Sequence, residues 1–343
     1  MPAPRPSFTP IPAIDALLEA GELRHQRRSA GRERSERMPP PEKEIHPQRQ
    51  RRVSKSRVEI VRAPGWNAWP WLVHGFSTRT GGVTTAYRPA QKAGELNLGF
   101  TSSDERDKVL ENRRRFLQAL GAPSSMDLVT LKQIHSSNVL RVGSSNTPGG
   151  EPCQGDGLMT DRLGVLLAIQ TADCIPVLIA DVKKKAVAAF HAGWRGTVKR
   201  IVESGVGQMR VAFGSRPDDL MAAIGPGIGA CCYAVGEEVR SEFTSQFAYA
   251  SDLFFEVSDH EPIREKYPML FLTARAPGHS NLGPSLHLDL MEANRRQLLD
   301  AGLRPDAIRR IGDCTRCQNN RYFSYRAEQG FTGRMLSAVG IRS

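Results

Sequence analysis

The clearest hydrophobic pattern in the chain lies between residues 164 and 196. Two short apolar runs, Ile175 to Ala180 and Ala186 to Phe190, stand on either side of the charged segment 181–185. Short apolar runs bounded by polar turn residues are typical of β-strands, and two such runs joined by a charged turn predict a β-hairpin. We therefore expect a buried hairpin at the centre of the fold.

A cysteine and a histidine lie at the open end of this hairpin. With the turn centred near Val182 and Lys183, Cys174 and His191 would be directly opposite each other. Directly opposed residues of antiparallel strands have Cβ atoms about 5 Å apart, close enough for a thiolate and an imidazole to share one metal ion. A turn one residue longer would spoil that register.

Four segments carry the signals of helices. Two of them begin with a capping box, in which Ser or Asp precedes Glu by three residues, and the first ends before a glycine suited to a helix C-terminus. The predicted helices are Ser102 to Leu120, Thr197 to about Phe213, Asp289 to near Gly302, and a short final helix that contains Met335 and Leu336.

Strand-like runs separate these helices. The segment Leu128 to Val142 has the pattern of a strand, a short polar turn and a second strand, with His135 at the end of the first run. Strands and helices alternate along the chain, which favours an α/β fold. The sequence contains neither a GxGxxG nor a GxxxxGK[ST] phosphate-binding loop.

Residues 1–56 differ from the rest of the chain because they are rich in Pro, Arg, Glu and Ser, and we predict that they form a disordered extension of a domain at 57–343. The net charge of the chain is +11, and residues 1–57, with 13 Lys and Arg against 7 Asp and Glu, carry +6 of it. The body is only mildly basic, and blocks of charge are usually solvated. We therefore do not expect a nucleic-acid partner.

Cysteine usage and hydropathy indicate where the protein works. Six cysteines among 343 residues are too sparse for a disulfide scaffold, so we expect reduced thiols. The sequence has no run of about 18 apolar residues and no apolar signal core at its start. We predict a cytoplasmic protein with no membrane partner.

Three residues form the strongest candidate site. His135, Cys174 and His191 each follow or end a strand-like run and are flanked by polar or small residues. Two imidazoles and one thiolate suit Zn²⁺, or Cu²⁺, and three protein ligands leave a fourth position for water or substrate. Spacing alone leaves open that each is an ordinary buried or surface residue, and also that Cys174 is a nucleophile with His191 as its base.

Two further motifs carry weaker signals. Cys314 and Cys317 form a Cys-x-x-Cys pair that suits a metal or a redox reaction, but we identify no partnering pair in the sequence. Arg79 lies beside the glycine pair at 81–82, in a turn that could present backbone N–H groups and a guanidinium to an anion.

The motifs of the body also carry a family resemblance. In chain order they include GFSTRTGGV, LNLG, VLENRRRF, QIH, GDGLMT, TADCIPVLIAD, AFHAGWRGT, AAIGPGIG, YAVGEEV, HLDLMEANRRQL and CTRCQNNRYFSYRAEQGFTGR. Residues from about 57 to 341 thus resemble the laccase-domain family, represented by YfiH-like proteins. This family was once named the multicopper polyphenol oxidases, and its members are now regarded as purine nucleoside phosphorylases with adenosine deaminase activity.

The resemblance implies a fold and a set of site residues. The expected fold is α/β, a single YfiH-like domain in which mixed β-sheets are sandwiched between helices. The family's metal ligands correspond to the trio identified above, and other family positions around the pocket correspond to Arg79, Asn97, Asp173 and Arg195. On this basis we expect Arg79, and with it Arg195, to bind phosphate, and Asp173 to relay protons or to orient a ligand.

The resemblance also implies an activity. We expect a zinc-dependent phosphorylase that converts adenosine, inosine, guanosine and methylthioadenosine to the free base and ribose 1-phosphate, and that deaminates adenosine. The expected partners are purine nucleosides and phosphate, with the chain acting as a monomer or a homodimer. Two departures from the family pattern, Gly227 in place of a cysteine and Ala327 in place of an arginine, leave the metal trio untouched. The alternatives are a Cys-His hydrolase or deamidase and a copper-dependent polyphenol oxidase.

Overall fold

The computed structural model describes residues 57–88, 94–143, 153–257 and 285–343, so the N-terminal extension lies outside the described residues. Within these ranges the strands, in chain order, are β1 (Ile60–Val61), β2 (Leu72–Ser77), β3 (Thr80–Thr84), β4 (Asp127–Val129), β5 (Val139–Arg141), β6 (Gly157–Thr160), β7 (Val165–Thr171), β8 (Ile175–Asp181), β9 (Ala186–Ala192), β10 (Leu220–Ile224), β11 (Phe254–Val257), β12 (Ser285–Leu288), β13 (Ile308–Arg310) and β14 (Met335–Ile341).

Five α-helices lie in the same described ranges. They are α1 (Arg106–Leu120), α2 (Trp194–Val198), α3 (Ile201–Phe213), α4 (Glu237–Gln246) and α5 (Leu290–Asp300), and short 3-10 turns occur at Trp66–Ala68, Pro217–Asp219, Ala250–Leu253 and Pro305–Ala307.

The strands form two large mixed sheets and one small one. The first has the order β1-β2-β14-β7-β4, the second the order β13-β10-β8-β9-β6-β5, and β11 pairs with β12. Most neighbours are antiparallel, whereas β4 with β7, β5 with β6 and β10 with β13 are parallel. The predicted α/β class with mixed sheets is confirmed.

The two large sheets pack face to face between layers of helices. On β8, side chains at odd positions face the helices α3 and α5, while Leu178 and Ala180 face the other sheet. On β7, Leu166 and Ala168 face α1, whereas the alternate residues face the second sheet. Successive strand side chains point to opposite faces, so strands covered on both faces have continuous apolar runs. The result is a sandwich with the layer order helix, sheet, sheet, helix.

The predicted hairpin is present as β8 and β9, but its turn is centred one residue later in the chain than expected. Asp181 pairs with Ala186, so that four residues form the turn. The Asp181 carboxylate accepts hydrogen bonds from the N–H groups of Lys183 at 2.9 Å and Lys184 at 2.8 Å, and Lys185 has a positive φ of 51°. A side-chain acceptor that replaces backbone partners stabilises such a turn.

The later centre of the turn changes the predicted register. His191 pairs with Pro176, so the prediction that it lies directly opposite Cys174 is wrong. The register differs by two residues, an even number, which keeps both side chains on one face. Cys174 and His191 are therefore diagonal neighbours, still within reach of each other.

Two predicted helix starts are wrong. Helix α1 begins after Glu105 without a side-chain cap, so Ser102 does not form the expected capping box. Thr197 lies inside α2 instead of capping a helix, and a residue in the left-handed region, Arg200 with φ 56°, separates α2 from α3. Asp289 is confirmed as the N-cap of α5, because its carboxylate accepts a hydrogen bond from the Glu292 N–H at 2.9 Å. The Asp289 N–H donates to the Leu253 carbonyl, so the reciprocal bond of a capping box is not formed.

The predicted C-terminal helix is also wrong. Met335 and Leu336 begin β14, which pairs with β2 on one side and β7 on the other. Every residue of this strand is buried. Because both faces are apolar, the run shows no alternation that would distinguish a strand from a short buried helix.

No helix in the described part of the chain has the length and apolar character needed to cross a bilayer.

Candidate metal centre and its cavity

The structure brings the three predicted ligands together. The ligand atoms of His135, Cys174 and His191 all lie within 4.8 Å of one another. The Cys174 Sγ is 3.9 Å from the His135 Nε2, and the two imidazole rings have centroids 4.9 Å apart. Cys174 precedes β8, His191 lies near the end of β9, and His135 lies in the loop between β4 and β5.

A buried carboxylate, Asp156, holds the two histidines in place. Its Oδ1 lies 2.8 Å from the His191 Nδ1 and accepts the His135 backbone N–H at 3.0 Å. Its Oδ2 accepts the N–H of Ile134 at 3.3 Å and, from Ser136, the N–H at 2.6 Å and the hydroxyl at 2.7 Å. Three successive N–H groups thus converge on one anion, which accounts for the positive φ of 57° at His135.

Asp156 also determines how His191 presents its ring. A carboxylate only accepts hydrogen bonds, so the His191 Nδ1 carries the proton and the Nε2 is left for the centre of the trio. A carboxylate that orients a ligating histidine in this way is a common feature of zinc sites. Asp156 is not among the residues predicted from the sequence, because its place between two glycines is typical of a turn. The signal available there was an acidic residue just before a buried strand.

The charges of the trio favour the thiolate. Desolvation opposes ionisation of Cys174, but His191 and His135 outweigh it and lower the pKa of the Cys174 thiol to about 6. Desolvation likewise opposes charge on His191, but Cys174 and Asp156 raise the pKa of its imidazole to about 9. Burial alone would raise the pKa of Asp156, whereas its bonds to His191 and Ser136 hold that pKa well below the usual range. Thiolate is the form of cysteine that binds metals.

A glycine leaves space beside the ligands. A Cβ at Gly193 would lie 3.0 Å from the Cys174 Sγ and 3.1 Å from the His135 Cδ2. Gly193 has an ordinary φ of −71°, so the requirement for glycine here is steric and not conformational. The motif that follows His191 therefore serves the geometry of the trio.

The trio opens into a cavity of about 670 Å³. This volume lies in the range of small-molecule sites, which are commonly about 300–1,000 Å³. Besides the trio the cavity is lined by apolar, aromatic, amide and charged residues: Leu131, Lys132, Gln133, Gln170, Thr171, Ala172, Asp173, Trp194, Arg195, Ile228, Tyr233, Tyr325, Arg326 and Arg334. Three ligands, an open side and a mixed lining are typical of a catalytic metal site.

Asp173 lines this cavity, and both of its carboxylate oxygens have partners. Its Oδ1 accepts the Thr315 hydroxyl at 2.6 Å, and its Oδ2 accepts the Arg326 N–H at 2.7 Å. The Asp173 backbone has a φ of 90°, an uncommon conformation for a residue with a side chain. Asp173 therefore ties the start of β8 to the loop that carries Arg326.

Arg195 also lines the cavity, whereas Asn97 and Arg79 are not among its lining residues. The guanidinium of Arg195 lies 4.4 Å from the Trp194 ring. Asn97 is fully buried, and its Oδ1 accepts the backbone N–H of Arg334, a cavity residue, at 2.9 Å.

Arg79 is 2% exposed and is held by acidic and carbonyl groups. Its guanidinium pairs with Glu95 and with Glu328, the latter at 3.0 Å, and donates to the Asn319 carbonyl. The guanidinium also lies 4.4 Å from the centroid of the Phe323 ring. The structure thus places Arg79 in a buried ion-pair network behind the loop that carries Tyr325 and Arg326.

A second, larger concavity of about 910 Å³ lies beside β1 and α1. Its lining consists of Gly81, Gln118, Ala119, aliphatic and charged residues of 57–62, and charged residues of α1. None of the metal-ligating residues of the described ranges lines it, so we place the functional site at the smaller cavity.

The Cys-x-x-Cys pair, for which the sequence indicated no partner, lies beside a second pair of cysteines. Cys314 and Cys317 lie beside Cys231 and Cys232, and the four sulfurs are all within 4.8 Å of one another. Burial opposes ionisation of Cys314, but backbone hydrogen bonds around it outweigh this and lower the pKa of its thiol.

Comparison with known proteins places these observations in a family. Residues 73–342 match the family described as multi-copper polyphenol oxidoreductase laccase. A purine nucleoside phosphorylase from Deinococcus radiodurans is 38% identical over 288 residues, which cover 83% of this chain and 93% of that protein. The purine nucleoside phosphorylase YlmD from Geobacillus stearothermophilus is 34% identical over 283 residues, which cover 79% of this chain and 94% of that protein.

Solved structures show the same fold. The crystal structure of the Bacillus licheniformis hypothetical protein YfiH matches with a TM-score of 0.68 and 29% identity, over 85% of this chain and 98% of that chain.

Proposed function

The chain belongs to the multi-copper polyphenol oxidoreductase laccase family, and on that premise we propose that it is a zinc-dependent purine nucleoside phosphorylase that also deaminates adenosine. The observation that carries the proposal is the trio of His135, Cys174 and His191, held by Asp156 at the wall of a cavity of about 670 Å³. The names of the relatives support nucleosides and phosphate as the substrates.

The donor set suits zinc. Two imidazoles and a thiolate whose pKa is lowered to about 6 are ligands that zinc prefers, and the open cavity leaves room for a fourth. A zinc ion bound there would supply Lewis-acid chemistry and activate water for attack at C6 of adenine. The chain's part is to hold His135 and His191 in position through Asp156 and to keep the His191 proton on Nδ1.

The phosphate contact would come from the arginines of the cavity. In phosphorolysis a phosphate oxygen forms a bond to C1′ of the ribose while the C1′–N9 bond breaks, and its electron pair leaves with the base, which takes up a proton. Arg195, Arg326 and Arg334 line the cavity, and a guanidinium can hold phosphate through two parallel hydrogen bonds. Holding phosphate against C1′ is the positioning that this reaction requires.

The two buried residues outside the cavity would then act through these arginines. We assign Asn97 to positioning Arg334, whose N–H it accepts, and Arg79 to supporting the loop of Arg326 through Glu328. Asp173 would hold the backbone of Arg326 directly. The aromatic rings of Trp194, Tyr233 and Tyr325 provide surfaces on which a purine can stack.

The test measures reaction and metal content together. Purified full-length protein is incubated with adenosine, inosine, guanosine or methylthioadenosine, with and without phosphate, and the free base, ribose 1-phosphate and ammonia are measured. We expect base and ribose 1-phosphate only with phosphate, and ammonia from adenosine in either case. Cys174→Ala should abolish both reactions, and Cys153→Ser, at an exposed cysteine, should leave both unchanged. A wild-type protein that produces neither base nor ammonia would overturn the proposal.

One geometric feature favours a second candidate, a Cys-His hydrolase. Cys174, His191 and Asp156 have the order of a nucleophile, a base and an orienting acid, and the pKa of the thiol is already lowered. Such an enzyme would act without a metal and would form a covalent adduct on Cys174. Metal analysis together with mass spectrometry after incubation with amide substrates distinguishes the two candidates.

A copper-dependent oxidation of phenols, the reaction in the family's printed description, is the third candidate. In the described ranges the histidine-containing metal-ligating group is one trio, whereas several coppers would need several such groups. Copper loading followed by an assay with a phenolic substrate tests this candidate.

A further inference from the structure

Four cysteines from two separate loops converge at one place outside the trio. Cys231 and Cys232 follow β10, and Cys314 and Cys317 follow β13. The Cys317 Sγ lies 3.5 Å from the Cys231 Sγ and 3.3 Å from the Cys232 Sγ, and all four sulfurs are within 4.8 Å of one another. All four cysteines are free thiols. We refer to these residues as the four-cysteine cluster.

The fold holds the two loops together independently of the sulfurs. Strands β10 and β13 are parallel neighbours, and an isolated parallel bridge between Gly227 and Cys314 continues their alignment into the loops. The Thr315 N–H donates to the Gly227 carbonyl at 3.0 Å, and the Gln318 N–H donates to the Cys314 carbonyl at 3.0 Å. The Cys-x-x-Cys turn is therefore formed by backbone hydrogen bonds.

A glycine gives the sulfurs their space. A Cβ at Gly229 would lie 3.1 Å from the Cys314 Cβ and 3.3 Å from the Cys231 Sγ. The Gly229 carbonyl accepts the N–H groups of Cys232 at 2.9 Å and Tyr233 at 3.0 Å, which forms the turn that presents both adjacent cysteines. The backbone of this loop thus runs directly beside the cluster.

We propose that the four-cysteine cluster binds a structural Zn²⁺ ion, separate from the trio. Thiolates about 2.3 Å from a tetrahedral zinc lie about 3.8 Å from one another, and sulfur separations of 3.3 and 3.5 Å are close to that value. A disulfide would require a separation of about 2.05 Å. Four sulfur ligands complete the tetrahedron, and such closed sites are structural ones.

The ion would stabilise one wall of the catalytic cavity. The two loops carry the cavity residues Ile228, Tyr233, Tyr325 and Arg326, and the second also carries Thr315, whose hydroxyl donates to Asp173. A zinc bound to both loops therefore joins chain segments that are distant in sequence and line the same site. This role does not depend on which reaction the cavity performs.

The first experiment is metal analysis of the purified full-length protein. We expect about two zinc ions per chain in the wild type, about one in Cys174→Ala, about one in Cys317→Ser and about two in the control Cys153→Ser. Cobalt substitution identifies the ligands, because the strong thiolate-to-cobalt absorption of the cluster should be lost in Cys317→Ser and retained in Cys174→Ala. Metal content in Cys317→Ser equal to that of the wild type, iron in place of zinc, or a disulfide among the four cysteines would overturn the proposal.

A second measurement on the wild type needs no variant that could fail to fold. Cys231, Cys317 and the control Cys153 are all exposed, so alkylation of each can be followed with and without the metal. Bound zinc should slow alkylation of Cys231 and Cys317 at least tenfold relative to the same cysteines after removal of the metal with a chelator, whereas the rate at Cys153 should not change. Rates at Cys231 and Cys317 that chelation of freshly purified protein leaves unchanged would contradict the proposal.

Discussion

The trio and the four-cysteine cluster lie at the same edge of the second sheet but differ in their surroundings. The β8–β9 and β8–β10 pairings bring the beginning of β8 and the ends of β9 and β10 to this edge, and β13 runs parallel to β10. The trio combines nitrogen and sulfur ligands, is held by a buried carboxylate and opens into the cavity. The cluster has four sulfurs on two loops. On our proposals the difference in ligand number separates the two roles, because three ligands with an open side suit a reactive metal and four sulfurs suit a structural one.

The largest expected effect comes from removing the cysteine ligand of the trio. Cys174→Ala should lose the catalytic metal and reduce phosphorolysis by more than about 100-fold, because changes behind the ligands already cost about 10- to 100-fold. The cluster should keep its zinc, so metal content should fall by about one ion. Activity assays and metal analysis on the same preparation check this, with Cys153→Ser as the control. If Cys174→Ala kept wild-type turnover, the trio would not be the reactive site.

The next effect tests the carboxylate behind the trio. Asp156→Asn replaces a carboxylate, which only accepts hydrogen bonds, by an amide that also donates them. The amide would face the backbone N–H groups of 134–136 and the His191 Nδ1, which all donate to the carboxylate in the wild type. We expect metal affinity of the trio and turnover to fall by about 10- to 100-fold. Competition with a chromophoric chelator gives the affinity.

Asp161→Asn provides the matched control, because Asp161 has a side chain that is 42% exposed and lies away from the trio. It should behave as the wild type in both measurements. Should Asp156→Asn bind metal as tightly as this control, the carboxylate does not orient the ligands. A thermal melt of both variants separates this effect from a loss of folding.

A smaller effect is expected from a single methyl group beside the trio. Gly193→Ala places a Cβ 3.0 Å from the Cys174 Sγ and 3.1 Å from the His135 Cδ2, so both ligands must move by a few tenths of an ångström. We expect metal affinity of the trio to fall by about tenfold, the lower end of effects from outside the ligand set. The same chelator competition measures it.

The control for this variant is Gly207→Ala on α3, where a Cβ would meet nothing within 4 Å. Alanine is favoured over glycine in a helix by about 1 kcal/mol, so this control should melt no lower than the wild type and keep its metal. Equal metal affinity in the two variants would show that the trio tolerates displacement of its ligands.

The smallest effect concerns the corresponding glycine of the cluster. Gly229→Ala places a Cβ 3.1 Å from the Cys314 Cβ and 3.3 Å from the Cys231 Sγ, and the exposed side chain of Cys231 has room to shift. We expect zinc release from the cluster to quicken by less than about tenfold, with the trio unaffected. Release kinetics with a zinc indicator measure this in a Cys174→Ala background that isolates the cluster. The same kinetics in a Cys317→Ser background isolate the trio, and faster release there would reverse the comparison.

The sequence predicted the trio because each of its members follows or ends a strand. Polar or reactive residues at the ends of buried strands are visible in a single sequence, and the family resemblance named the same three residues. The even shift in the β8–β9 register kept Cys174 and His191 on one face, so an error in the turn did not separate them. Local patterns in the sequence were therefore sufficient to predict that these three side chains lie close together.

What the sequence could not show depends on contacts between distant segments. Cys231 and Cys317 are 86 residues apart and meet only because β10 and β13 are parallel neighbours. Asp156 looked like a turn residue, since its role is visible only once the segment 134–136 wraps around it. Arg79 looked available to an anion, but the acidic residues that surround it come from other segments of the chain. The apolar run of β14 did not distinguish strand from helix.

The wrapping of 134–136 around Asp156 has a consequence for conformational entropy. Ordering a histidine side chain and its loop costs conformational entropy. In this protein the hydrogen bonds that His135 and His191 make to the Asp156 carboxylate offset that loss during folding. A metal ion that arrives afterwards meets ligands whose freedom has already been restricted, so more of its coordination energy is expressed as affinity. The same carboxylate links the two histidines, so a fluctuation that releases one of them also loosens the other.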